Sequence, residues 1–202
     1  MSDIFLSASV PDSADPVFGK TADPLRIHAA IRALCLIALG HKRIVWGGHP
    51  AITPMIWAAC ENMGVDYKTS VHLYQSLYFP AAVRPKENDS FGNVTNIEAG
   101  KDLAESLSLM RQGMMSKHSF EAGIFVGGKQ GVIDEFEMFI KAHPKAPAVI
   151  LPSTGGASCM LADRYPKQSA PGNGFVDFMG YLANHIKVDQ PRQEGAHSKR
   201  GE

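Results

Sequence analysis

The stretch FVGGKQGVIDEF, residues 125 to 136, passes from apolar residues through adjacent glycines into an amphipathic pattern that carries Glu135. A strand-to-helix turn of this kind presents backbone N–H groups and the positive end of a helix, the arrangement that holds an anion. Two more glycine pairs follow apolar runs: Gly47-Gly48, continued by His49-Pro50, and Gly155-Gly156, preceded by Ser153-Thr154. Glycine at such positions lets a ligand approach the main chain, and it is also common in tight turns that bind nothing. With all three pairs on one edge of a sheet, their N–H donors and the hydroxyls of Ser153 and Thr154 suit a phosphate or ribosyl group. Neither standard nucleotide fingerprint occurs: there is no G-x-G-x-x-G, and no Gly-Lys-Ser or Gly-Lys-Thr follows at the three glycine pairs.

Charges beside these corners define the available chemistry. Lys129 sits inside the second glycine turn, where an ammonium either meets a phosphate or stays in solvent as an ordinary loop lysine. On the following helix, at about 100° per residue, Asp134 points away from the apolar stripe and Glu135 falls on its flank. Glu135 is the better placed acid, although the helix dipole alone also accounts for an acid there. Arg111 flanks the stripe of Met110 and Met114, so its guanidinium either emerges at the sheet edge or is solvated. His49 reads as a structural donor or a ligand contact, and Ser7, closing the first apolar run, joins the candidate contacts. Histidine spacing suits no metal, and neither a G-x-S-x-G elbow nor a reactive cysteine offers a nucleophile. No metal and no cofactor are expected.

The elements that must position these residues follow from the hydrophobic period. Apolar runs at 4–7, 43–46, 70–74, 122–126 and 148–151 predict strands. Helices are predicted after Asp23-Pro24 up to Gly40, over 51–63 up to Gly64, over 102–116, after the glycines at 127–131, and over 175–186. Residues 76–100, rich in proline, asparagine and glycine and without a period, predict a functional flap or an irregular excursion. Strands alternating with helices of ten or more residues imply crossover connections. The fold class is therefore α/β, a Rossmann-like three-layer sandwich with a mainly parallel sheet, one domain over 1–188, and an unstructured polar tail over 189–202.

Lysine plus arginine and aspartate plus glutamate both number 20, so no overall positive field draws in nucleic acid or an anionic membrane. The three cysteines stand far apart in apolar surroundings and read as reduced core thiols. The amino-terminal residues lack a signal pattern or spanning segment, which makes the cytoplasm the expected location.

With these residues in view, the chain resembles the SLOG superfamily, which joins Smf/DprA proteins to the "lonely guy" phosphoribohydrolases. Leu109-Met110-Arg111, the strand after it, Gly127-Gly128 and Gly131-x-x-x-Glu135 carry the likeness, which spans residues 4 to about 161. The resemblance implies that Gly127, Gly128 and Gly131 line a nucleotide phosphate or ribose. It implies that Arg111 pairs with phosphate or the reaction centre and that Glu135 faces the ribose. The partner it implies is a nucleotide-derived small molecule of nucleoside monophosphate, cyclic nucleotide or ADP-ribose type, bound by a sensor module. The alternative is a phosphoribohydrolase that cleaves the N-glycosidic bond of a nucleoside 5′-monophosphate, with Glu135 and Arg111 as catalytic pair. Pairing through helical faces is common in the superfamily, so the resemblance also implies a homodimer.

Three departures from the hydrolase motif P-G-G-x-G-T-x-x-E matter. Val126 replaces the proline, Lys129-Gln130 adds one residue before the third glycine, and Val132 replaces the threonine. A misplacement of about 1 Å already costs about a hundredfold in rate, so binding is expected to survive better than turnover. The opening IFLSAS is similar to the first strand of TIR and nucleoside deoxyribosyltransferase domains. DNA binding of the Smf/DprA kind lacks a basic stripe here.

Overall fold

The structure is a computed structural model that describes residues 1–172 and 174–187; the tail expected over 189–202 lies outside the described residues. The apolar runs become β1 (Asp3–Ser9), β2 (Arg43–Trp46), β3 (Val71–Ser76), β4 (Val94–Ile97), β5 (Phe120–Gly127) and β6 (Ala148–Leu151). They form one sheet in the order β4-β3-β2-β1-β5-β6, with every pair parallel. Between and after them run α1 (Pro24–Ala38), α2 (Thr53–Met63), α3 (Tyr67–Ser70), α4 (Leu103–Lys117), α5 (Gln130–Ala142), α6 (Gly156–Arg164) and α7 (Phe178–His185).

Alternation along β1 sets the layers. Ile4 and Leu6 pack with α1, α2 and α7, whereas Phe5 packs with α4, α5 and α6, as the two-residue period of a strand requires. α1 starts where the Asp23 carboxylate accepts from Arg26 N–H at 3.0 Å and Pro24 occupies the first turn; its buried face is Ile27, Ile31, Leu34, Cys35 and Ala38. α2 stops at Gly64, whose φ of 61° only glycine adopts readily and whose N–H caps Cys60 O and Glu61 O. α5 buries Val132, Ile133, Phe136 and Phe139, and the Phe139 ring stacks on Phe5 with centroids 5.6 Å apart. The fold is therefore an α/β Rossmann-like three-layer sandwich.

At the amino-terminal edge, Asp3 receives both Nε and Nη2 of Arg43 at 2.8 and 2.9 Å and Nδ1 of His118 at 2.6 Å. Burial would raise this carboxyl, but the hydrogen bonds from His118 and Arg43 outweigh it and hold Asp3 below the usual range. These contacts tie β1, β2 and the end of α4 together at the edge opposite the glycine corners.

Several elements differ from expectation. Residues 76–100 are not irregular throughout: 3-10 turns occupy Ala81–Val83 and Lys86–Ser90, and β4 pairs with β3. β4 is an edge strand whose four residues are all partly or fully exposed, so it lacks the apolar run that announces a central strand. α6 begins on Gly156, a poor helix former, and is absent from the sequence reading because its start is fixed by tertiary contacts. α7 is shorter than the predicted 175–186, being capped by Asp177, which accepts from Gly180 N–H.

The chain leaves β1 through α1 towards β2 and returns through α4 to β5 on the other side of β1. Loops diverge at such a reversal, beyond the carboxyl ends of the strands, and that is where a ligand crevice forms.

Candidate functional site

A cavity of about 290 Å³ lies at the carboxyl ends of β1, β2 and β3. Ala8 and Ser9 at the end of β1, and Trp46 with Gly47-Gly48-His49 at the end of β2, line one part. Met110 and Arg111 of α4, and Gly131, Val132 and Glu135 of α5, line another. The third part comes from Gln75 and Ser76 of β3 and from Phe79, Arg84 and Asn88 of the segment after it.

Glu135 and Arg111 meet across the α4–α5 contact. Arg111 Nε donates to Glu135 Oε1 at 3.2 Å, Arg111 Nη1 donates to Asp134 Oδ2 at 3.2 Å, and Ser7 Oγ–H donates to Glu135 Oε2 at 2.6 Å. The Arg111 and Glu135 side chains are 13% and 15% exposed, so water screens the pair little. Burial raises the Glu135 carboxyl above its ordinary value; Arg111 and the Ser7 hydrogen bond pull the other way without cancelling it. The guanidinium faces two carboxylates, so this end of the cavity holds a proton-competent acid beside a neutralised cation.

The three glycine corners share the sheet edge but not the cavity. Gly47, Gly48 and His49 line it, as does Gly131 from the second corner. Gly131 permits the Arg111 geometry directly, because a Cβ there would lie 2.8 Å from Arg111 Nη2. Gly127 and Gly128 turn the chain with φ of 57° and 89°, but Ile27 and Val132 fill the space a Cβ would take. Lys129 carries its ammonium outward to Asp15 Oδ2 at 3.1 Å. At the third corner a Cβ on Gly155 would lie 1.8 Å from Thr21 O, and one on Gly156 2.5 Å from Gly128 O. The helix N–H groups there already have partners: Gly156 N–H donates to Thr21 Oγ1 and Ala157 N–H to Gly128 O. Thr154 Oγ1 accepts from Gly127 N–H at 2.8 Å and donates to Leu151 O, while Ser153 is buried. The third corner is thus packed by the chain itself, and Ser153, Thr154, Gly155 and Gly156 stay off the cavity wall. Ser7 also lies behind the wall, reaching it through Glu135.

His49 Nδ1 accepts from Ala51 N–H at 3.2 Å, which puts the proton on Nε2. Burial, and then Lys129, hold His49 below its ordinary value, so the ring is neutral near pH 7. The thiols of Cys35 and Cys60 are pushed up to about 12, chiefly by burial, which keeps them protonated. Ser9, Gln75, Arg84 and Asn88 line the cavity and were not picked out from sequence. The only signal for the last two was the aperiodic stretch that contains them.

The model of the SLOG cluster3 family matches residues 17–186. The X-ray structure of TM1055, a Northeast Structural Genomics Consortium target, is similar to this fold with a TM-score of 0.50 at 11% identity, over 81% of this chain and 81% of that one. No curated protein matches. Among the described residues no helix is long and apolar enough to cross a membrane.

Proposed function

We propose that this chain, which belongs to the SLOG cluster3 family, binds a nucleotide-derived small molecule of mononucleotide size and acts as a sensor module. Family membership supports a nucleotide-related role. The observation that carries the reading is the convergence of Gly47-Gly48-His49, Gly131 and the Arg111–Glu135 pair on one cavity. Its volume of about 290 Å³ stands at the small end of ligand sites, which favours a mononucleotide over an ADP-ribose type ligand.

The sensor role fits the state of the polar groups. Val132 stands where the hydrolase motif has a threonine hydroxyl, and its methyl fills the turn at Gly128. Lys129 and Arg111 are both engaged by carboxylates, so a phosphate at this end meets few unspent cations. Homodimer formation in the cytoplasm belongs to the same proposal and is tested by sedimentation of the purified chain.

One observation favours hydrolysis as a second reading. Glu135 is a buried carboxyl held by Ser7 and Arg111 against the cavity, the placement that steadies positive charge developing on a ribose or orients a water. Incubation with nucleoside 5′-monophosphates and cyclic nucleoside monophosphates separates the readings. A rise in melting temperature without release of free base supports the sensor; release of base supports the hydrolase; neither a rise nor release overturns both.

A further inference from the structure

The glycine turn after β5 offers an anion no seat. Gly127 and Gly128 have Ile27 and Val132 packed into the space beside them, Arg111 faces Asp134 and Glu135 together, and Lys129 turns out to Asp15. One guanidinium set against two carboxylates gives a phosphate no net attraction at that end of the cavity. Arg84 is the other arginine on the wall, and no ion pair joins it to a carboxylate among the described residues. It follows the 3-10 turn Ala81–Val83, and its N–H donates to Ala81 O at 3.1 Å, which holds the residue in place. Its Nη2 donates to Phe79 O and its Nε is enclosed. Nη1 has no partner among the described residues and, unlike Nε, keeps accessible surface, so the charge is presented through that atom.

Further donors line the same cavity at the exit of β2. His49 carries its proton on Nε2, and that atom is also accessible and unpartnered among the described residues. The main-chain N–H groups of Gly48 and His49 meet no acceptor among the described residues. Arg84 belongs with this group by its place in the fold. The 3-10 turn that follows it, Lys86–Ser90, packs on α2, the helix into which Gly47-Gly48-His49 lead. Arg111 and Glu135 come from α4 and α5, which cover the other face of the sheet. The cavity therefore has a donor-rich side towards α2 and a carboxylate-rich side towards α5, and this gradient of charge orients an anionic ligand.

We infer that Arg84 is the anion anchor of the site: the phosphate of the ligand lies against Arg84 Nη1 and His49 Nε2, and the sugar and base lie towards Glu135. This deepens the nucleotide reading of the cavity and rests on it. The orientation is opposite to the one implied by the resemblance, which puts the phosphate at the glycine turn after β5. It keeps the phosphate clear of the Glu135 carboxylate and uses a cation that no carboxylate neutralises. A charge-assisted hydrogen bond of this kind is about twice as strong as a neutral one, so Arg84 distinguishes a nucleotide from the nucleoside that lacks the phosphate.

The test is calorimetric titration of the full chain with the four ribonucleoside 5′-monophosphates, their 3′,5′-cyclic forms and the matching nucleosides. The wild type is expected to bind at least one phosphorylated compound roughly tenfold or more tighter than its nucleoside. Arg84→Met should reduce that ratio to about twofold or less while leaving the nucleoside within about threefold of wild type, and Arg84→Lys, which keeps the charge, should retain part of the ratio. Arg84→Gln, which keeps a donor for Phe79 O, is read in the same way if Arg84→Met does not melt cooperatively. Lys129→Met should leave the ratio within about twofold of wild type. An unchanged ratio in the neutral Arg84 variants overturns the inference, as does its loss in Lys129→Met, which would put the phosphate at the turn after β5. Equal weakening of nucleotide and nucleoside by Arg84→Met also overturns it, because Arg84 then serves the wall and not the anion. Equal binding of nucleotides and nucleosides by the wild type overturns the anchor alone; absence of binding by every compound overturns the nucleotide reading itself, a different failure.

Discussion

Arg111 Nε lies 3.2 Å from Glu135 Oε1 although the two residues stand on successive helices, and the contact closes one end of the cavity. The pair is nearly buried, and Asp134 shares the guanidinium. Arg111→Met would leave the Glu135 carboxylate with Ser7 as its only donor of those present now. We expect a loss of about 2 kcal/mol at neutral pH, below the 3–5 typical of a fully buried pair because both groups keep some exposure.

The pH dependence of that loss has a definite sign. Glu135 is already raised by burial, and removal of Arg111 raises it further. A raised acid destabilises the fold only where the unfolded chain would be ionised. The deficit of Arg111→Met is therefore small below the unfolded carboxyl pKa of about 4.3 and grows to full size as pH rises through the folded value. Urea denaturation of both proteins from pH 4 to pH 8 measures the difference; a deficit that shrinks with rising pH contradicts this account of the pair.

Glu135→Gln separates holding from turnover. The amide keeps the size of the side chain and its contact with Ser7, so nucleotide affinity should stay within about threefold. If the chain releases base at all, the substitution should remove at least about a hundredfold of that rate, the general acid or base contribution. Base release measured by chromatography at full wild-type rate would exclude Glu135 from the chemistry.

The glycines sort into two kinds. Gly155 has φ of 73° and sits 1.8 Å, by its would-be Cβ, from the backbone of Thr21, so Gly155→Ala should cost more than about 3 kcal/mol and yield little folded protein. Gly131 lies in α5 and its Cβ would meet only the Arg111 guanidinium. Gly131→Ala should leave the melting temperature within a few degrees and weaken nucleotide binding by about tenfold, by displacing that guanidinium. Equal damage to folding in both variants would show that the second corner is packed as tightly as the third.

That contrast also shows what was legible in the sequence. Strands β1, β2, β5 and β6 are buried apolar runs, and the glycine pairs at the exits of β2, β5 and β6 announce turns on one edge, so the parallel sheet and its working edge could be read. Glu135 and Arg111 could be placed because helical period puts each on the flank of a stripe. Whether a glycine corner admits a ligand or a loop could not: the partner of Gly155 is Thr21, far away along the chain, and no local pattern records it. Val132 shows the same limit, since a valine at that position reads as core and the structure uses it both as core and as the filling of the turn at Gly128. Arg84 and Asn88 carry no period at all; only the assembled cavity gives them meaning.

The central claim is that the cavity over β1, β2 and β3 is a nucleotide site. Ala8, half-buried at the end of β1, faces that cavity, and Ala8→Phe fills it from the floor. Calorimetric titration of wild type and Ala8→Phe with nucleoside and cyclic nucleoside monophosphates is the most direct measurement. We predict one-to-one binding of at least one of them to the wild type and its loss in an Ala8→Phe protein that still melts cooperatively. Undiminished binding to Ala8→Phe, or no binding to the wild type at millimolar concentrations, would contradict it.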